Sequence, residues 1–197
     1  NSRIKAATLN TINAAQKIGG EIHLLVAGAN CTDAVTAGAS IEGITKVLKA
    51  DAPQFEHALA ENLSPLIIGQ ADSYSHILAP SSTFGKNVMP RVAALLDTQQ
   101  ISDIIAVESE STFRRPVYGG QAIATVESTD SKKVITVRST GFDATSETGG
   151  SASIEDITAT DDSGLSSFVS LEASKSERPE LGSAKIVVSG GRGVGSA

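Results

Sequence analysis

The 197 residues carry a net charge of −6, are 40% hydrophobic and hold a single cysteine, Cys31. The acidic balance excludes the basic stripe that nucleic-acid phosphates require, one thiol excludes an internal disulfide, and no apolar run approaches the ~20 residues that span a bilayer. The length suits one good-sized domain, or one with part of a second, and an aromatic share of 4% with no Trp leaves the core to Ala, Val, Ile and Leu.

The opening Asn1-Ser2-Arg3 shows neither a secretory apolar region nor an Arg-rich transit pattern, and is expected to be the inside of a longer protein. Leu9, Ile12, Ala15 and Ile18 then recur at helical spacing over Ala6–Ile18, and Gly19-Gly20 supply a C-terminal stop. Ile22–Gly28 has the apolar density of a buried strand. Thr32 or Asp33 can cap a helix running to about Gly38, and Ile41–Val47 predicts a brief strand or turn.

Pro53 opens a helical stretch through Phe55, Leu59 and Leu63, and Ser64-Pro65 reads as a second helix start, Ser as cap and Pro at the first helical position. Ser75–Pro80 is the next short strand. Ser81 or Ser82 caps a helix to Leu96 that turns Val88, Val92, Leu95 and Leu96 to the sheet, and Ile101–Val107 is a further strand. This alternation implies right-handed crossovers and a mostly parallel sheet with helices on both faces. The first helix lacks a strand before it: either the sheet begins at Ile22 or a leading strand is missing.

The pattern changes after Val107. Gln121–Glu127 and Lys132–Arg138, joined by a polar turn, read as an antiparallel hairpin. Residues 144–164 are rich in Ser, Thr, Asp, Glu and Gly and read as a surface excursion, and Phe168–Glu172 as a returning edge strand. Ile186-Val187-Val188 form a β-branched run with the density of a buried strand, followed by Ser189-Gly190-Gly191-Arg192-Gly193. Strand then glycine turn is how a nucleotide-binding unit opens: glycines let backbone amides approach a phosphate, and an Arg adds paired donors. The same spacing suits a plain tight turn.

Other candidates carry two readings each. Thr83-Phe-Gly-Lys86 sits between strand and helix like part of a phosphate loop, but the second framing glycine is absent, so a simple helix start is the plainer reading. His23, His57 and His76 are scattered without ligand spacing, and His23 falls in a strand pattern as a packed residue. Cys31 has no evident nucleophilic partner, and Glu108/Glu110 and Asp161/Asp162 read as solvated surface. Arg114-Arg115, beside Pro116 and Tyr118, reads equally as an intersubunit or anion contact and as a surface turn.

Five phrases, in one order, resemble the electron-transferring flavoprotein alpha subunit. They are Pro90-Arg-Val-Ala-Ala-Leu-Leu-Asp97, Ile101-Ser-Asp-Ile-Ile105, Arg115-Pro-Val-Tyr-Gly-Gly-Gln-Ala-Ile-Ala-Thr-Val126, Val134-Ile-Thr-Val-Arg138 and Ser176-Glu-Arg-Pro-Glu-Leu-Gly-Ser-Ala-Lys-Ile-Val-Val-Ser-Gly-Gly-Arg-Gly193. The resemblance implies a Rossmann-like α/β fold of the adenine-nucleotide-hydrolase-like type, a mostly parallel sheet with helices on both faces and a C-terminal antiparallel hairpin. It divides the chain into an N-terminal α/β domain, residues 1–183, whose first strand is missing, and residues 184–197, the hinge and opening of a FAD-binding domain.

It further implies one subunit of a heterodimeric electron carrier, not an enzyme, with no catalytic residue of its own. Partners would be a beta subunit, flavin dehydrogenases as donors and a membrane quinone oxidoreductase as acceptor, without nucleic acid or membrane insertion. The setting would be fatty acid oxidation in a bacterial cytoplasm or mitochondrial matrix. Arg192 matches a family position that contacts FAD, with Gly190, Gly191 and Gly193 shaping its turn; one Arg and a glycine turn are expected to hold FAD poorly alone. The alternative is an AMP- or ATP-binding domain, acting as a sensor or nucleotide hydrolase, with its site in the loops after Gly28 and Pro80.

Overall fold

A computed structural model describes residues 4–172 and 186–195. Helix α1 (Ala6–Ile18) buries Leu9 and Ile12 and stops at Gly19, whose φ of 95° suits the left-handed backbone a helix end takes up. Strand β1 (His23–Gly28) leads through α2 (Thr32–Ala39) to β2 (Lys46–Asp51), which pairs parallel to β1 with His23 opposite Lys46. A single 3-10 turn, Pro53–Phe55, precedes α3 (Ala60–Gln70). Then come β3 (His76–Pro80), α4 (Thr83–Leu95), β4 (Gln100–Ile104) and β5 (Ala106–Val107), followed by β6 (Thr112–Val117), β7 (Ala122–Glu127), β8 (Lys133–Val137) and β9 (Ser153–Asp156).

The strands form three groups of three. β1-β2-β9 is parallel, β3-β8-β4 is parallel with β8 in the middle, and β5-β6-β7 is antiparallel. Alternation along the strands fixes the layers. Val134 of β8 packs with Leu63, Leu66, Val88 and Val92 of α3 and α4, while Ile135 and Val137 face the other way, to Ala14 of α1, Phe113 and Phe142. Leu9 and Ile12 of α1 meet Val35 of α2 over Val47 on that same second face. Helices therefore cover both faces, as the sequence implies.

Several local expectations change. Lys132–Arg138 does not return against Gln121–Glu127. Val134, Ile135, Thr136 and Val137 are all at most 1% exposed, a continuous run only an inner strand can bury on both sides. β7, which truly alternates, pairs with β6 instead, Pro116 opposite Ile123. Pro116 lies beyond the two residues of β5, so its missing N–H costs no ladder bond on that side.

Ser64-Pro65 starts no helix: both lie inside α3, where the buried Ser64 hydroxyl donates to the Ala60 carbonyl at 2.7 Å. Leu95 points outward at 55% exposure, one position past the face that Val88 and Val92 bury. The second strand is Lys46–Asp51, later than the 41–47 stretch, because its two lysines pair with Glu155 (2.7 Å) and Asp156 (3.3 Å) of β9. β9 itself arises within residues 144–164, with Lys46 opposite Ser153. Phe168–Glu172 forms no strand, since that edge of β2 already belongs to β9.

One relationship inside the sheet stands out. β1 pairs only with β2 and β3 only with β8, so among the described residues the facing edges of β1 and β3 have no ladder partner. Between them runs an apolar cavity of about 410 Å³, walled by Leu24, Val26, Ile77, Leu78, Ile12 and Met89.

Candidate functional site

In a doubly wound sheet, ligands bind beyond the carboxyl ends of the strands, where helix N-termini offer free amides. Here the first such corner is closed by the chain itself. The Asp51 carboxylate, at the end of β2, accepts the backbone N–H of Asn30 at 2.8 Å and of Cys31 at 3.1 Å. Neither Thr32 nor Asp33 caps α2: Cys31 occupies the cap position without a side-chain cap bond, and Asp51 satisfies the amides from the neighbouring strand. Burial, then the Asp51 charge, pushes the Cys31 thiol above its ordinary pKa, so it stays protonated and a poor nucleophile.

The second corner, after β3, is capped as well. Ser82 is the N-cap of α4 and its hydroxyl accepts the Gly85 N–H at 3.3 Å. Gly85, the glycine of Thr83-Phe-Gly-Lys86, is there for packing. A Cβ on it would lie 2.0 Å from the Pro80 carbonyl oxygen, so the first turn of α4 can press onto β3 only without a side chain. The plain helix-start reading of that phrase therefore holds.

Next to it, β4 bulges at Asp103, whose φ is +62°, and the Asp103 carboxylate pairs with Arg138 after β8 (Nε at 3.0 Å). The Arg138 hydrogen bonds, set against burial, hold the Asp103 carboxyl below the usual range, and Asp103 raises Arg138 in return.

The histidines are structural. The Tyr74 hydroxyl lies 2.6 Å from His23 Nδ1, His76 Nε2 meets the Glu110 carbonyl at 2.7 Å, and His57 stacks on Phe168. Among the described residues no cluster of His, Cys, Asp and Glu could hold a metal. Glu108 and Glu110 lie at the β5–β6 turn, Glu108 3.8 Å from Arg114.

The glycine turn is found at the surface. Ile186, Val187 and Val188 are 84%, 53% and 94% exposed and belong to no strand, a correction to the expected one: a buried-type strand needs a sheet to receive it, and no described strand pairs with this run. Gly190 and Gly191 precede a single 3-10 turn, Arg192–Val194, closed by a Val194 N–H to Gly191 carbonyl bond of 3.0 Å. Gly193 is exposed, and the Arg192 side chain lies outside the described residues, as do the expected 183/184 boundary and Ser176–Leu181.

Arg114-Arg115, which reads equally as an intersubunit or anion contact and as a surface turn, lies on β6 in an exposed β6–β7 hairpin. Tyr118 is 85% exposed with φ +52°, Ile123 is 44% exposed, and Arg114 stands beside them half exposed. An exposed Tyr, an Ile and an Arg on one rigid hairpin are the residue types that anchor protein interfaces.

The sequence model of the "Electron transfer flavoprotein domain" matches residues 1–162. The chain is 56% identical over 194 residues to "Electron transfer flavoprotein subunit alpha" of Pseudomonas aeruginosa, covering 98% of this chain and 63% of that protein. The protein of the same name from Paracoccus denitrificans is 51% identical over 183 residues, 93% of this chain and 59% of its own. A mitochondrial one from Dictyostelium discoideum is 45% identical over 212 aligned residues, 98% of this chain and 59% of its own. The chain thus spans about 60% of the length of these curated relatives.

Proposed function

Because the chain belongs to the electron transfer flavoprotein family and resembles its alpha subunits, we propose that it is the scaffold and docking domain of a FAD-containing electron carrier. In this reading the α/β domain holds a beta subunit through the β6–β7 hairpin and positions a flavin-bearing segment. The assembly takes electrons from flavin dehydrogenases and hands them to a membrane quinone oxidoreductase. The match over residues 1–162 carries the reading, and the exposed Tyr118, Ile123 and Arg114 support the docking surface.

FAD supplies the redox chemistry of such a carrier. Gly190, Gly191, Arg192 and Gly193 are assigned to its phosphates only in company with further walls, and by themselves are expected to bind it weakly. Relatives come from bacteria and from mitochondria, and no described helix is long and apolar enough to cross a membrane. A bacterial cytoplasm or a mitochondrial matrix is the proposed setting. Co-expression with a beta subunit from the same source tests the docking: a 1:1 complex on size exclusion that Ile123→Asp abolishes, with the fold intact by circular dichroism, is expected. A complex indifferent to Ile123→Asp and Tyr118→Asp would remove the hairpin from the interface.

The cavity between β1 and β3 favours one further proposal: it is the seat of an additional strand, parallel to both, that leads into α1. Leu24, Leu25 and Val26 are patterned for an inner strand yet sit only partly buried at an edge. α1 and α2 share one face, and successive right-handed crossovers on one face step in one direction. The strand before α1 therefore belongs on the side of β1 away from β2, which is the cavity. Hydrogen exchange tests it: an apolar, β-branched segment fused ahead of Asn1 should protect the Leu24–Ala27 and Ile77–Ala79 amides together, and protection of neither edge would refute it.

The reading as a nucleotide sensor or hydrolase gains no support from this geometry. Both helix N-termini that would meet a phosphate are already capped, by Asp51 and by Ser82. Calorimetry with AMP and ATP on this chain checks the point, and micromolar binding would revive the alternative.

A further inference from the structure

After β9 the chain does not run free. Ile157 continues along β2 through its N–H to the Lys49 carbonyl (2.9 Å), and Ile157 and Ala159 pack on the core beneath α3 and α4. The next residues cross the N-terminal turn of α3. Gln54 Nε2 donates to the Thr160 carbonyl (2.6 Å), the Thr160 hydroxyl to the Asn62 carbonyl (3.4 Å), and the Ser163 N–H to Asn62 Oδ1 (2.9 Å). Asn62 Nδ2 donates in turn to the Gln54 carbonyl (3.1 Å).

Asn62 is 1% exposed. A buried side-chain amide with both ends bonded to backbone from two different segments is a costly feature to misplace, because either orphaned group would stay dry. Further out, the contacts are of another kind. The Ser166 hydroxyl donates to Glu61 Oε2 (3.0 Å), and the Phe168 ring lies parallel to His57 with centroids 3.8 Å apart and 9° between planes. Phe168 is 43% exposed, and beyond the stack Val169 and Leu171 are 89% and 80% exposed.

We infer that residues 157–168 form a two-stage clasp on α3: an inner latch at Asn62 and an outer latch at Ser166–Glu61 and His57–Phe168. The clasp fixes the direction in which the chain leaves the α/β domain. The outer latch is solvent-exposed and opens first, and the inner latch is buried and opens last. The path of the chain up to Phe168 is thus set at the start of α3 and the turn before it, not at the edge of the sheet. The inference rests on these contacts alone and is independent of whether the protein carries flavin.

The test is hydrogen exchange and limited proteolysis on the 197-residue chain and its variants. In Phe168→Ala the amides of residues 165–171 should exchange, and the peptide bonds there be cut, at least tenfold faster, with the Ser163 amide still protected. In Asn62→Ala both stages should open, Ser163 included. Ser166→Ala, which leaves the core untouched, should act as Phe168→Ala does but more weakly. If Phe168→Ala exposes Ser163 as fully as Asn62→Ala, the latches are one unit and the two-stage clasp is wrong. If the Ser163 amide of the unaltered chain exchanges as fast as in an unstructured peptide, no clasp exists.

Discussion

The Asp51 carboxylate at the end of β2 accepts the Cys31 N–H at the start of α2, 3.1 Å away, across 20 residues of chain. A strand here caps its neighbour's helix, and in doing so takes the amides that an anionic ligand would use. Asp51→Ala should cost about 1 kcal/mol, the usual worth of a helix cap, which for a chain of this length lowers Tm by about 2–4 °C. Phosphate at millimolar level should restore part of that loss in Asp51→Ala and do nothing for the unaltered chain. Thermal melts with and without phosphate read both effects.

Gly85→Ala separates packing from phosphate binding at the start of α4. Its Cβ would meet the Pro80 carbonyl oxygen at 2.0 Å, and backbone cannot step aside cheaply. A loss of about 1–3 kcal/mol is expected from the overpacking, seen as a lower midpoint in urea with an unchanged slope. Lys86→Ala, at the exposed neighbouring residue, should be within about 0.5 kcal/mol of the unaltered chain.

Ile135 and Ile123 test the strand order. Ile135, fully buried in the inner strand β8, should cost about 2–5 kcal/mol when cut to Ala. Ile123, 44% exposed on β7, should cost well under 1 kcal/mol. Equal losses at the two positions would contradict the pairing of β8 with β3 and β4.

The Asp103–Arg138 pair predicts an acid-side dependence. The Asp103 carboxyl titrates below its unfolded value, mainly through its bond to Arg138. A carboxyl depressed in this way stabilises the fold above its unfolded pKa, and that contribution is lost as pH falls through the lower folded pKa. Asp130, held low by the Gln99 N–H and the Thr98 hydroxyl, acts in the same direction. Asp103→Asn keeps a residue that tolerates positive φ. It should be less stable than the unaltered chain at pH 7 by about 1 kcal/mol or less, since Arg138 is half exposed, and the gap should narrow steadily as pH falls below the free Asp pKa of about 3.9. Melts from pH 7 to pH 2.5 give the comparison.

Where the physics is local, the sequence is legible. α1, β1 and α4 lie within a residue or two of their expected bounds, because helical spacing, a glycine stop and the Ser82 cap are written into adjacent residues. β2 was harder to see, since Lys46 and Lys49 look like surface charges until Glu155 and Asp156 arrive from over a hundred residues away. The run Val134–Val137 carries its own evidence of burial, but a polar turn before it suggested a hairpin. Only the open place between β3 and β4 explains where it goes. The capping role of Asp51 and the clasp at Asn62 have no local signature: each depends on a segment brought in by the topology. Ile186–Val188 shows the reverse, a strand-like composition that no described strand takes up.

The parted edges of β1 and β3 bear on how this chain behaves at high concentration. Among the described residues, each presents a row of peptide groups with no strand beside it and greasy side chains alongside, which is the arrangement that recruits stray polypeptide into growing stacks. Neither edge carries a central lysine by which natural sheets discourage such recruitment, and the one proline, Pro80, stands at the last position of β3. Colloidal stability should therefore fall steeply with dose while the melting point hardly moves, and light scattering, not calorimetry, is the measure of how long a solution keeps.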